Sequence, residues 1–242
     1  MTHSSAVQPK SISLEVVARR IGQQAKGLVF MALWIALLFL CAGRADWIRG
    51  WVCVGIYLIS VAATGMIVHH ANHNLLERRA KWQHRDTKGY DKIFLVIFFP
   101  LTVIQPAVAG LDVVRFHWSS MPSWTIFPAA GFFLLSMALV TWTLATNPYA
   151  ESTVRIQFDM GQSVIHSGPY AFVRHPMYVG MILMYPATGW MLGSTAALIV
   201  GIFMAVSVIV RTALEDRTLR NELSGYAEYS LVTRYRLIPG IW

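Results

Sequence analysis

Thirteen residues, Gly168-Pro169-Tyr170-Ala171-Phe172-Val173-Arg174-His175-Pro176-Met177-Tyr178-Val179-Gly180, pack a turn, an Arg-His pair, a proline and two tyrosines between apolar segments. Polar and ionisable groups at a membrane edge are costly unless they bind something, so they mark a site. Pro176 suits the first turn of a helix, where its missing N–H costs nothing. The positive end of that helix, Arg174, His175 and free backbone N–H groups would then converge on an anion. Tyr170 and Tyr178 flank the spot and offer π-faces to a cation. The plainer reading is a basic pair meeting lipid phosphate between two belt aromatics.

Arg211 and Glu215 stand one helical turn apart. They either form an i, i+4 ion pair worth a few tenths of a kcal/mol or both face the 168–178 site. Asn147, Glu151 and Gln157 are ordinary loop residues taken singly. His69, His70 and His73, with Glu77 one turn on, have the spacing of metal ligands on a helix face. No second cluster exists among the eight histidines, and a helix end meeting headgroups is the simpler reading, so no metal is expected. There is no P-loop, nucleophile elbow, C-x-x-C or GxGxxG loop.

The surrounding elements are apolar. Hydrophobic residues make up 55% of the 242 and charged ones 13%, with mean hydropathy +0.49. A soluble domain carries about 25% charged residues, so a bilayer is the expected solvent. Against a need for about 20 residues per span, residues 27–43, 50–68, 93–110 and 124–146 read as four spans. Residues 176–195 and 196–210 are shorter and touch, as in a helical hairpin or one full and one shallow span. The expected fold is an all-α polytopic bundle of four spans plus that hairpin, its cofactor pocket formed by the C-terminal half.

The +8 net charge is uneven. Lys10, Arg19, Arg20, Lys26, Arg78, Arg79, Lys81, Arg85, Lys88 and Lys92 fall on one side, against Arg44, Arg49 and Arg115 on the other. The positive-inside rule predicts cytosolic termini, 69–92 loop and 147–175 loop. No basic stripe interleaves with aromatics, so nucleic acid is not an expected partner. Cys41 and Cys53 lie in apolar stretches and read as small hydrophobes. The first apolar segment reads as a retained span rather than a signal peptide.

The chain divides by chemistry into an interfacial arm, 1–26, a transmembrane scaffold, 27–146, and a site-bearing region, 147–242. Asn147-Pro148 should stop the fourth span, with turns at Gly161, Gly168 and Pro169. Arg211–Leu223 reads as a charged helix leaving the membrane, ended by Gly225.

Three pieces in order, Val154-Arg155-Ile156-Gln157, the Gly168…Gly180 stretch and Arg211-x-x-x-Glu215-Asp216-x-x-Leu219…Tyr226-x-x-Tyr229…Pro239, resemble the isoprenylcysteine carboxyl methyltransferase family. Its wider group includes phospholipid N-methyltransferases. The likeness covers residues 147–242. It implies a multi-pass membrane enzyme using S-adenosylmethionine (SAM) to methylate a lipophilic or lipidated acceptor, with membrane lipid as its other partner. By position it implies that Gln157, Gln162, Ser163, Val164, Ile165, Tyr170, His175, Pro176, Met177, Tyr178 and Glu215 contact the cofactor. Arg211 would face the acceptor and act in catalysis with Glu215. Residues 162–165 match by position only, and Asp216 stands where the family usually has a second glutamate.

SAM's carboxylate would suit the helix start at His175, and its ammonium and ribose would suit Glu215 and Gln157. A carboxylate acceptor titrates near 4 and is already ionised at neutral pH, so it needs no base; a thiol or amine would raise that question. NADPH-dependent sterol reductases share a similar Gly-Pro-Tyr…Arg-His-Pro-x-Tyr stretch, but they typically carry an acid after the Gly where this chain has Met181. A non-catalytic scaffold or transporter is the third reading. It sits poorly with polar residues gathered at one face, because a permeation path would spread them over several spans.

Overall fold

The computed structural model describes residues 14–80 and 86–242. Every regular element among them is helical. Helix α1 (Leu14–Ala42) takes in the second half of the expected arm; residues 1–13, Lys81 and Arg85 lie outside the described residues. Helices α2 (Ile48–Ala71), α3 (Leu75–Arg79), α4 (Gly89–Gly110) and α5 (Ile126–Thr146) follow, α4 running on into a π-turn, Leu111–Arg115. The last three are α6 (Pro176–Leu192), α7 (Thr195–Glu222) and α8 (Tyr226–Val232).

Four helices are long and apolar enough to cross a membrane: Ile48–Ala71, Gly89–Arg115, Ser123–Thr146 and Thr195–Glu222. Three coincide with expected spans. The expected first span is the shorter apolar segment Gly27–Ala42 of α1. Outward side chains such as Ile59, Val96, Phe127 and Phe203 are exposed, as lipid-facing groups should be.

The hairpin α6–α7 is present, but the expected separate helix from Arg211 is not. Helix α7 runs unbroken for 28 residues. No Gly or Pro follows Gly201 to interrupt it. Thr212 and Thr218 return their hydroxyls to Val208 O and Leu214 O, 2.8 and 3.0 Å away. Its length of about 42 Å exceeds a hydrocarbon core of about 30 Å, so one continuous helix serves as span and as site wall. The hairpin closes tightly because its crossing uses glycines. A Cβ on Gly189 would lie 2.3 Å from Leu198 N, and one on Gly201 2.4 Å from Tyr185 O. Gln105 of α4 donates to Tyr185 O and Ala197 O, at 2.8 and 3.1 Å, joining both arms.

Buried polar groups define the two ends of the bundle. At the hairpin turn, Asp112 Oδ2 accepts from Ser119 Oγ, Ser194 Oγ and Ala196 N, and Arg49 donates to Thr125 Oγ1 and Met121 O. At the opposite end, Asn72 Nδ2 donates to Leu144 O and Ala145 O, at 2.6 and 2.9 Å. These are two of the carbonyls that the last turn of α5 leaves without helical partners. The 147–175 loop, the start of α6 and the last turns of α7 meet there.

Candidate functional site

The 147–175 loop is held by its own side chains. Asn147 Oδ1 accepts from Tyr149 N at 2.8 Å, while its Nδ2 donates to Tyr170 OH at 2.7 Å. Arg155, buried, binds Glu151 at 2.9 Å, Asp159 at 2.8 Å and Asp86 at 3.2 Å. Hydrogen bonding to Glu151 leads in raising its pKa above the ordinary arginine value. Gln157 Nε2 donates to Tyr149 O at 2.7 Å, and Gln157 N donates to Gln162 Oε1 at 2.8 Å. Gly168 turns the chain at φ +61°, where a Cβ would also meet Thr146 Oγ1 at 2.8 Å; no other residue type fits.

Asp216 is the hub behind Arg174, His175 and Tyr226, which line a cavity. Its carboxylate is fully buried and accepts from Arg174 at 2.7 and 3.1 Å, Arg236 at 2.8 Å and Tyr226 OH at 3.0 Å. His175 Nε2 lies 3.3 Å from the same carboxylate. Arg174 also donates to Thr233 O and Arg234 O. Backbone N–H groups of Arg174 and His175 donate to Tyr235 O and Arg236 O. The expectation that Arg174 and free N–H groups face an anion is therefore corrected: the C-terminal tail takes them, and Arg174 has a structural partner.

Arg211 and Glu215, the pair expected to do chemistry, lie on the same helix as Asp216 and line the cavity. The Tyr178 ring stacks on the His175 imidazole with centroids 5.7 Å apart, and its hydroxyl donates to Glu215. Arg211 does not pair with Glu215. Its Nε lies 2.8 Å from Asp91 Oδ1 of α4, its NH2 donates to Ser152 O at 3.0 Å, and its guanidinium sits 4.5 Å over the Phe94 ring. Asp91 Oδ2 accepts from Val154 N at 2.8 Å.

The cavity that these groups line is partly open, with a volume of about 100 Å³. Of the residues singled out from the sequence, Gln157, Gln162, Ser163, Val164, Ile165, Tyr170, His175, Met177, Tyr178, Arg211 and Glu215 all line it. Pro176 does not; it is buried at the first position of α6. Sequence reasoning missed Asp91 and Thr153, and it gave no site role to Tyr226 and Tyr229 although both stand in the resembling motif. An acid just ahead of an apolar span needs a partner, and that signal was available for Asp91. Nothing in the sequence alone distinguished Thr153.

Of the buried wall atoms that make no hydrogen bond, Arg211 Nε has Asp91 as its ion-pair partner, whereas Gln157 Oε1 and Thr153 Oγ1 have none. Unsatisfied buried polar groups are costly, so both suit a ligand bringing donors. Burial raises the phenols of Tyr170 and Tyr226, and pushes Tyr229 up to about 12. All three stay protonated as donors. His69 and His73 pack at a tilt by the end of α2, with 4.4 Å between ring centroids and 53° between ring planes. Among the described residues no three His, Cys, Asp or Glu side chains are grouped to hold a metal.

The fold and the cavity define a helical membrane protein with a partly open polar site at one end. Residues 124–224 match the model of the phospholipid methyltransferase family, which includes the isoprenylcysteine carboxyl methyltransferases and bears out the resemblance read from the motif residues. A stretch of 100 residues is 31% identical to the cobalt-zinc-cadmium resistance protein CzcN of Cupriavidus metallidurans, covering 40% of this chain and 45% of that protein. The chain thus aligns with about half the length of this curated relative. The family match supports a membrane methyltransferase of this superfamily.

Proposed function

We propose that the protein is a SAM-dependent methyltransferase that modifies a lipophilic acceptor in this cavity, with the cavity and the chain termini on the cytosolic side. The observation that carries the reading is the convergence of Gln157, His175, Tyr178 and Glu215 on one cavity within the matched region. The cations Arg78, Arg79, Lys88, Lys92 and Arg155 lie on segments at the cavity end, and Arg44, Arg49 and Arg115 at the other, which supports the orientation.

The donor set suits SAM. Gln157 Oε1 is free to accept from an N–H, the Glu215 carboxylate suits an ammonium or a diol, and a tyrosine face suits a sulfonium. When bound, SAM supplies an electrophilic methyl group. The chain's own part is alignment and exclusion of water. Tyr178 fixes Glu215 by hydrogen bond and His175 by stacking, while Arg211 is fixed from α4. Holding two reactants in line is worth up to roughly 7–11 kcal/mol, and a dry site removes the acceptor's hydration shell. Isoprenylcysteine carboxyl methylation is the nearest named activity; the family equally admits thiol and amine acceptors.

The test is transfer of tritium from methyl-labelled SAM to a membrane lipid extract by purified protein in nanodiscs. Label in the organic phase that disappears with Glu215→Ala supports the reading. NADPH oxidation with no methyl label would replace it with the reductase reading.

A further inference from the structure

Every guanidinium lining the cavity among the described residues already has an acid. Arg155 holds Glu151 and Asp159, and Arg174 holds Asp216. Arg211, the group nearest the acceptor in the reading above, has Asp91 at 2.8 Å. Asp91 is fully buried and is held in place by Val154 N, and Glu215 adds a second carboxylate one turn along α7. With Glu215 committed to the cofactor in the reading above, an entering carboxylate would therefore meet a cation already matched by a resident acid, both buried, where charge is felt strongly.

The structure assigns to Asp91 a specificity-determining role: as the resident counter-ion of Arg211 it reserves the acceptor end of the cavity for a head group without negative charge. The inference rests on the methyl-transfer reading and, among the acceptors that reading admits, selects the thiol and amine over the carboxylate. Selection works here by repulsion of the wrong partner as much as by attraction of the right one. Hydrogen bonding remains available to an uncharged head, because Thr153 Oγ1 is buried and unpartnered, and Thr153 stands between Ser152 and Val154, whose backbones bind the ion pair.

The experiment titrates protein saturated with S-adenosylhomocysteine, in detergent, with hexanoate, hexanol and hexylamine by calorimetry. Wild type is expected to bind hexanol and hexylamine about tenfold or more tighter than hexanoate. Asp91→Asn is expected to raise hexanoate affinity by about tenfold and leave hexanol within about threefold. Equal or tighter binding of hexanoate by wild type overturns the inference, as does an Asp91→Asn protein that weakens all three alike. If Asp91→Asn does not fold, the pair Asp91→Asn with Arg211→Gln, which leaves no unmatched buried charge, carries the test. Compared with Arg211→Gln alone, from which it differs only at Asp91, it should bind hexanoate about tenfold tighter relative to hexanol, and equal ratios in the two variants overturn the proposal. Failure of wild type to bind S-adenosylhomocysteine removes the methyl-transfer reading instead, and the same three probes then judge Asp91 alone.

Discussion

Tyr178 lies flat on His175, ring planes within 7° of parallel, while its hydroxyl donates to Glu215 on the neighbouring helix. One side chain thus couples the Arg-His-Pro turn at the start of α6 to the acid on α7. Tyr178→Phe keeps the stack and removes the hydroxyl. A hydrogen bond to a charged group contributes about 1.5–3 kcal/mol to stability, so the melting temperature should fall, and SAM affinity should drop by up to about tenfold because Glu215 is no longer held. Unaltered affinity by calorimetry would show that Glu215 needs no such support.

Asp216 should matter for folding rather than for ligand contact. Removing one partner of a buried ion pair costs about 3–5 kcal/mol, and Asp216→Asn weakens the shared acceptor of Arg174, Arg236 and Tyr226. Denaturation in detergent should show a loss of that order, larger than for Arg236→Ala, whose side chain is partly exposed. A stability equal to wild type would contradict the hub.

The hairpin crossing has no room for a methyl group. Gly201→Ala places a Cβ 2.4 Å from Tyr185 O, and overpacking of this kind costs about 1–3 kcal/mol. The melting temperature of the purified protein should drop, whereas Gly131→Ala, where a Cβ meets nothing within 4 Å, should be neutral or better. Equal effects would mean that the two helices are free to part.

Orientation is open to chemical labelling. A cysteine at Phe158, exposed on the cavity-end loop, should react with a membrane-impermeant maleimide only after cells are opened. One at Trp118, exposed at the other end, should react in intact cells. The opposite pattern would invert the topology.

Much of this arrangement was legible because it is local. Apolar length reveals the spans, Asn147-Pro148 does stop α5, and Pro176 does start α6. The site residues matched by identity meet at the cavity, Pro176 excepted. What escaped was long-range pairing. Arg211 and Glu215 invite an i, i+4 pair, yet Arg211 is drawn to Asp91, 120 positions away in sequence and adjacent only after α4 packs on α7. Arg174 looked free because its partners, Asp216 and the tail carbonyls, lie 42 to 60 residues downstream. The unbroken α7 was read as two pieces because charge begins at Arg211, although the backbone had no reason to break there.

The most direct measurement is a calorimetric titration of SAM into wild type and Glu215→Gln in nanodiscs, each first shown to be folded. Saturable binding by wild type, weakened about tenfold or more in the variant because a charge-assisted contact is lost, is the expected result. A folded wild-type protein that takes up no SAM, or a variant that binds it equally well, would contradict the assignment of this cavity.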